Sequence, residues 1–271
     1  MIGLLRWPRA LSAVALAALC VSAWLYLLGG AGAGMTAWQM TSLTPFPHRA
    51  VAMSMAGMDM PLARWDLAGA SLVVAMWWTM MIAMMLPAAA PALLLYDRAR
   101  QQRQRDSAAG GQIASTGLFA AGYLVVWLGF SLLATALQWA LVRGGLLSAE
   151  MPYSQSRVLS AVLLLASGAY QLSPLKRACL TQCRSPAAFI ARQWRPGVAG
   201  ALRLGVLHGA WCVGCCGLLM VLLFVGGVMN VVWIAVLAVL VLVEKLLPGG
   251  PWVGRGIGAL LIAWGLATLV A

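Results

Sequence analysis

The sequence predicts an all-α fold, a polytopic transmembrane bundle of about seven helices, and three observations carry that prediction. The first is composition: 63% of the 271 residues are hydrophobic and 9% are charged, with a mean hydropathy of +0.90, whereas about a quarter of a soluble domain is charged. The second is a series of apolar runs, each able to cross about 30 Å of hydrocarbon, at roughly 10–28, 68–96, 115–142, 157–174, 204–227, 229–247 and 255–271. Six spans would remain if the first were removed or if two short ones were re-entrant. The third is the sidedness of the basic residues. With the N-terminus in the cytosol, Arg6, Arg9, Arg98, Arg100, Arg103, Arg105, Lys176, Arg177, Arg184, Arg192, Arg195, Arg203, Lys245 and Arg255 all face the cytosol, which is fourteen of the 18 Lys and Arg. Only Arg49, Arg64, Arg143 and Arg157 fall outside. The net charge of +12 would suit nucleic acid, but no soluble domain or aromatic platform is present to bind it. The charge instead sets topology and brings the cytosolic loops against anionic membrane lipid.

Residues 1–34 form the first helix and a small-residue linker, GGAGAG. Arg6 and Arg9 ahead of an apolar run resemble a signal peptide, yet the run is nearer eighteen residues than the roughly seven to fifteen of such a segment, so it reads as a retained span. Cys20 within it reads as a small apolar filler. Residues 35–66 form an outer loop, since Pro45, Pro47 and Pro61 argue against a packed helix. This loop carries Met53, Met55, Met58 and Met60, with Met35, Met40 and His48 upstream. Methionines that gain nothing from burial suit either a membrane surface or the collection of a soft cation, because thioethers bind Cu(I) and leave Mg²⁺, Ca²⁺ and Zn²⁺ largely alone.

Residues 67–271 are the helical membrane core. The second helix enters at Leu67 and carries Met76, Met80, Met81, Met84 and Met85. At 100° per residue these cover about half of its circumference, either as packing or as a sulfur-lined face. Pro87 and Pro91 predict a kink in its cytosolic half, and Ala88 to Ala90 admit a close neighbour. Asp97 to Gln112 read as a solvated cytosolic loop. The third helix offers Trp127, Trp139 and Gln138 and no ionisable group.

The fourth helix ends near Ser173 and Pro174, and Cys179 and Cys183 follow as a CxxxC pair near Lys176, Arg177 and Arg184, whose charge favours thiolate. The fifth helix holds His208, Cys212, Cys215 and Cys216, all within roughly 100° of one face. Starting near Leu204 on the cytosolic side, the cysteines lie roughly 12–18 Å deep, close to the level of the methionine stripe on the antiparallel second helix. A short outer turn near Gly226 to Asn230 joins the last helices. Glu244 and Lys245 close the sixth at the cytosolic face, where they reach headgroups or each other, and Pro248 to Arg255 form a turn.

Three motifs, WxxMMxAMMLPxAAPxLLLY at Trp77 to Tyr96, CxxxC at Cys179 and Cys183, and HGxWCxGCC from His208 followed by LLFVGGVMNxxW through Trp233 and EKLLP at Glu244 to Pro248, resemble a bacterial family described as predicted metal-binding integral membrane proteins. The likeness covers most of residues 60–250. It implies a helical protein of the bacterial inner membrane, linked to copper supply for copper-dependent oxidases such as tyrosinases in a chaperone-like or transporter-like role. By position it points to Met80, Met81, Met84, Met85, Cys212, Cys215 and Cys216.

The leading functional expectation is therefore a non-enzymatic copper-handling protein. Cu(I) is caught outside by Met53, Met55, Met58 and Met60, passed to Met76, Met80, Met81, Met84 and Met85, then to Cys212, Cys215 and Cys216 with His208, and on to Cys179 and Cys183. A client copper enzyme or a soluble copper chaperone is the expected partner. Three alternatives stand beside it. A thiol–disulfide oxidoreductase would use Cys212/Cys215 and Cys179/Cys183 with a quinone. Zinc fits a Cys₃His set but needs no methionine. A structural or assembly subunit would need no metal.

Overall fold

The computed structural model describes residues 7–41, 65–105, 112–148 and 153–270. These residues form α1 (Trp7–Leu28), α2 (Leu67–Arg105), α3 (Gln112–Arg143), α4 (Arg157–Leu172), α5 (Pro174–Arg184), α6 (Pro186–Gln193), α7 (Gly197–Val221), α8 (Leu223–Gly226), α9 (Val231–Leu246) and α10 (Gly250–Val270). The only β pairing among them is an isolated antiparallel bridge between Leu147 and Ser154.

Among the described residues, five helices are long and apolar enough to cross a membrane, and six if the bent pair α4 and α5 counts as one span. The expected fourth span, α4, ends at Leu172, close to its predicted end, but at 16 residues it is long enough to cross only together with α5, across the break, and the expected sixth, α9, is also 16 residues long. The break has a local cause. A residue before proline is pushed out of the helical region, and Ser173, ahead of Pro174, sits at φ −69° and ψ 150°. Its side chain accepts from the Lys176 N–H and starts a new helix, turned 64° from α4. Pro186 also stands at the start of α6, there without a side-chain cap from Ser185.

Helix α2 begins where Asp66 Oδ1 accepts the Gly69 N–H at 2.7 Å and runs for 39 residues, about 58 Å at 1.5 Å per residue. It continues through Pro87 and Pro91 and through much of the stretch expected to be a loop. Asp97 and Arg100 are buried there, and Asp97 accepts hydrogen bonds from Thr116 at 3.1 Å and Gln101 at 2.9 Å. Pro87 has no N–H to offer the carbonyl one turn back at Ala83. The Cys20 thiol of α1 donates to that carbonyl at 3.8 Å, so Cys20 is more than an apolar filler. The expected turn at Pro248 to Arg255 is shorter than read, since α10 starts at Gly250.

Helix α3 packs along α7, α4 along α10, and α1 and α3 flank α2. The α3–α7 crossing is close because glycines face it. A Cβ added at Gly205 would lie 2.1 Å from the Phe119 carbonyl oxygen, and one at Gly122 would lie 2.4 Å from that of Leu202. Without side chains between them the two backbones touch, the arrangement that small residues allow inside membranes.

Candidate metal centre

The methionine face of α2 turns inward. Met76, Met80, Met81, Met84 and Met85 are each at most 1% exposed, so none of the five lies on the outer surface of the bundle. Helix α7 turns the face predicted for it the same way: His208, Cys212, Cys215 and Cys216 are all buried. The two faces meet where Cys216 Sγ lies 3.6 Å from Met85 Sδ.

Around that contact the cysteines are held by their own helix turn. Cys215 Sγ and Cys216 Sγ both donate back to the Cys212 carbonyl, at 3.2 and 2.9 Å. Cys212 Sγ has two partners that the sequence reading missed. Lys245 Nζ, from α9, donates to it at 2.9 Å, and Tyr123 Oη, from α3, lies 3.1 Å away. The same phenol donates to the Met85 carbonyl at 3.1 Å. A phenol has one proton. Given to Met85 O, it leaves the phenol oxygen to accept the Cys212 thiol proton; given to sulfur, it serves a thiolate. Tyr123 thereby links the cysteine helix to the backbone of the methionine helix.

The CxxxC pair joins this cluster from the side. Helix α5 lies against α7, with Cys179 buried and Cys183 half-buried. Cys183 Sγ is 3.8 Å from Cys215 Sγ. Cys179 packs at Gly214, where an added Cβ would come within 2.9 Å of its sulfur. The close thiol contact therefore runs between helices, Cys183 to Cys215, rather than within either sequence motif. All six cysteines are free thiols.

His208 sits one turn from Cys212 in a box of rings, with Phe119, Tyr123 and Phe189 centroids at 6.0, 5.8 and 5.5 Å. Its Nδ1 is buried without a hydrogen-bond partner among the described residues. Met53, Met55, Met58 and Met60 lie outside the described residues.

Glu244 and Lys245 depart from expectation. They reach neither headgroups nor each other, because neighbouring positions on a helix diverge by about 100°. Lys245 points to Cys212. Glu244 is buried against Lys176 Nζ at 2.7 Å and accepts from Gln171 Nε2 at 2.6 Å, while its backbone oxygen accepts from Arg184 Nη1 at 2.5 Å. This polar knot ties α4, α5 and α9 together beside the sulfur cluster.

Among the described residues, no three His, Cys, Asp or Glu side chains are arranged to hold a metal ion. Two cysteine sulfurs are turned back onto their own helix, and the nearest soft partner is a methionine, which such a grouping leaves out. The sulfurs approach in two separate pairs, at separations that are van der Waals contact and also the edge length of a sulfur-ligated site. With metal–sulfur bonds of about 2.3 Å, ligands at the corners of a tetrahedron or triangle stand about 3.8–4.0 Å apart, against the 3.6 and 3.8 Å of Met85–Cys216 and Cys183–Cys215. Rotation of Cys215 and Cys216 about Cα–Cβ would free both sulfurs from the Cys212 carbonyl. A set of thiols and thioether selects Cu(I) over hard cations.

Comparison with known proteins agrees with that chemistry. The family model described as PpoB2, copper chaperone, matches residues 74–268, a stretch that contains both sulfur-bearing faces, the CxxxC pair, Tyr123 and Lys245. No curated protein and no solved structure matches the chain.

Proposed function

The chain belongs to the PpoB2 copper chaperone family, and on that premise we propose that it binds Cu(I) within the bacterial inner membrane and passes it on to copper-dependent oxidases. The observation that carries this reading is the 3.6 Å contact of Cys216 Sγ with Met85 Sδ, where thioether and thiol from two different helices share one buried point. In this reading Met53, Met55, Met58 and Met60 collect the ion outside. Met76, Met80, Met81, Met84 and Met85 receive it, and Cys212, Cys215 and Cys216 with His208 hold it. Cys183, 3.8 Å from Cys215 and partly exposed, takes it toward Cys179 and a soluble copper chaperone or client enzyme at the cytosolic side.

Ligand strength rises along the route, from neutral thioether to thiolate. Each thiol that binds gives up a proton, and Tyr123 is placed to change its hydrogen bond from the Met85 carbonyl to the Cys212 sulfur as that happens. Lys245 offsets part of the negative charge that thiolates bring into a low-dielectric site. The protein acts by ligand exchange and turns over no substrate. Zinc is the weaker candidate because it has no use for the methionines.

Titration of the detergent-purified protein with Cu(I) against a competing chelator tests the reading. Wild type is expected to bind, and the variant with Cys212, Cys215 and Cys216 all replaced by Ser to lose binding; unchanged stoichiometry in that variant would end the proposal. One observation favours a second reading, since Cys183 and Cys215 are close enough for a modest movement to bring them to disulfide distance. Thiol alkylation in cells before and after quinone depletion separates the two, because only an oxidoreductase predicts a change in the state of that pair.

A further inference from the structure

We propose that Lys245 makes the sulfur cluster selective for a monovalent ion, by placing a fixed positive charge against the metal-binding thiols. The inference rests on the copper-binding reading above and adds a specificity-determining residue to it.

Lys245 comes from α9, near its C-terminal end, and Lys next to an apolar span would ordinarily extend to the interface. Here it is buried, with Nζ 2.9 Å from Cys212 Sγ. The neighbouring carboxylate does not neutralise it. Glu244 is held by Lys176 and Gln171 on the other side of the helix, and Arg184 and Lys176 add further positive charge around that knot. The sulfur site therefore contains a cation before any metal arrives.

The consequence follows from Coulomb's law. For a given number of thiolates recruited, a divalent ion brings one more positive charge beside the ammonium than a monovalent ion does, so the ammonium disfavours it by one further unit of charge. A metal on Cys212 stands about 4–5 Å from Nζ, given the 2.9 Å Nζ–Sγ distance, and at an effective dielectric near 20 the extra unit of charge changes relative affinity by at least about 100-fold. Softness alone separates Cu(I) from Mg²⁺ and Ca²⁺, but thiolates also bind Zn²⁺ well. A buried ammonium discriminates against the ion that softness leaves in competition.

The test measures Cu(I) and Zn²⁺ affinities of the detergent-purified full chain as wild type, Lys245→Met and Lys245→Arg. The Zn²⁺-to-Cu(I) affinity ratio is expected to rise by at least about 100-fold in Lys245→Met and to stay near wild type in Lys245→Arg, whose guanidinium keeps the charge. If Lys245→Met does not fold, Lys245→Gln is read the same way. A ratio unchanged on removing the charge, or raised equally in Lys245→Arg, overturns the inference while leaving copper binding intact. Absence of Cu(I) binding by wild type overturns the functional reading itself.

Discussion

At the scale of single residues, the cluster divides into atoms that hold metal and atoms that hold the cluster. Met85 supplies the sulfur nearest to Cys216, and its replacement by Leu keeps volume while removing one soft donor. Cu(I) affinity of Met85→Leu is expected to fall about tenfold, about 1.4 kcal/mol, with the melting temperature little changed because the substitution conserves volume. Chelator competition beside a thermal melt checks both. Tyr123→Phe is expected to do the reverse. It removes the hydroxyl that joins Met85 O to Cys212 Sγ, costing about 1–2 kcal/mol of stability as a buried carbonyl and a thiol lose a shared partner. Full Cu(I) stoichiometry with a lowered melting temperature is the expected result.

At the scale of elements, the position of the cysteines depends on how closely α3 and α7 approach. Gly205 touches the Phe119 carbonyl with no room for a methyl group. Gly205→Ala therefore has to separate the helices and move Tyr123 from Cys212; a loss of at least about 3 kcal/mol is expected, together with weaker Cu(I) binding. A melt unchanged from wild type would show that the crossing is looser than described. The Glu244 knot makes a second prediction. Glu244→Gln leaves the Lys176 ammonium buried without its counter-ion, and loss of one member of a buried pair costs about 3–5 kcal/mol, measured in the same melts.

The helical faces were legible in the sequence. The inward turn of Met76 to Met85 and of His208 to Cys216 follows from spacing, because a 3.6-residue period fixes which side chains share a side. What joined the faces was not legible. Tyr123 stands in a four-residue stripe, Phe119, Tyr123, Trp127 and Ser131, all buried, and that stripe was the available signal for an inward face on α3. Lys245 lay beside Glu244, and a pair of opposite charges invites pairing; only the 100° step between neighbours hinted that they part. The Cys183–Cys215 contact depends on the 64° turn at Ser173, and Pro174 marks the break without giving its direction.

At the scale of the whole molecule, the account needs an orientation. Of the fourteen Lys and Arg read as cytosolic, Arg100, Lys176 and Lys245 are buried in the protein; the other eleven against four are the sequence argument for an N-terminus, α5 and α6 in the cytosol. The proposed inward transfer needs residues 35–66 and Cys183 to lie on opposite sides of the bilayer. Reporter fusions in residues 35–66 and 185–196 are expected to read outside and cytosolic respectively, and the reverse pattern would invert the route. The central claim is that sulfur from two spans forms one home for a soft monovalent ion. Copper K-edge absorption of the protein loaded with one Cu(I) tests it most directly: a shell dominated by sulfur near about 2.3 Å, with at most one nitrogen from His208, is predicted, and a shell dominated by nitrogen or oxygen would contradict it.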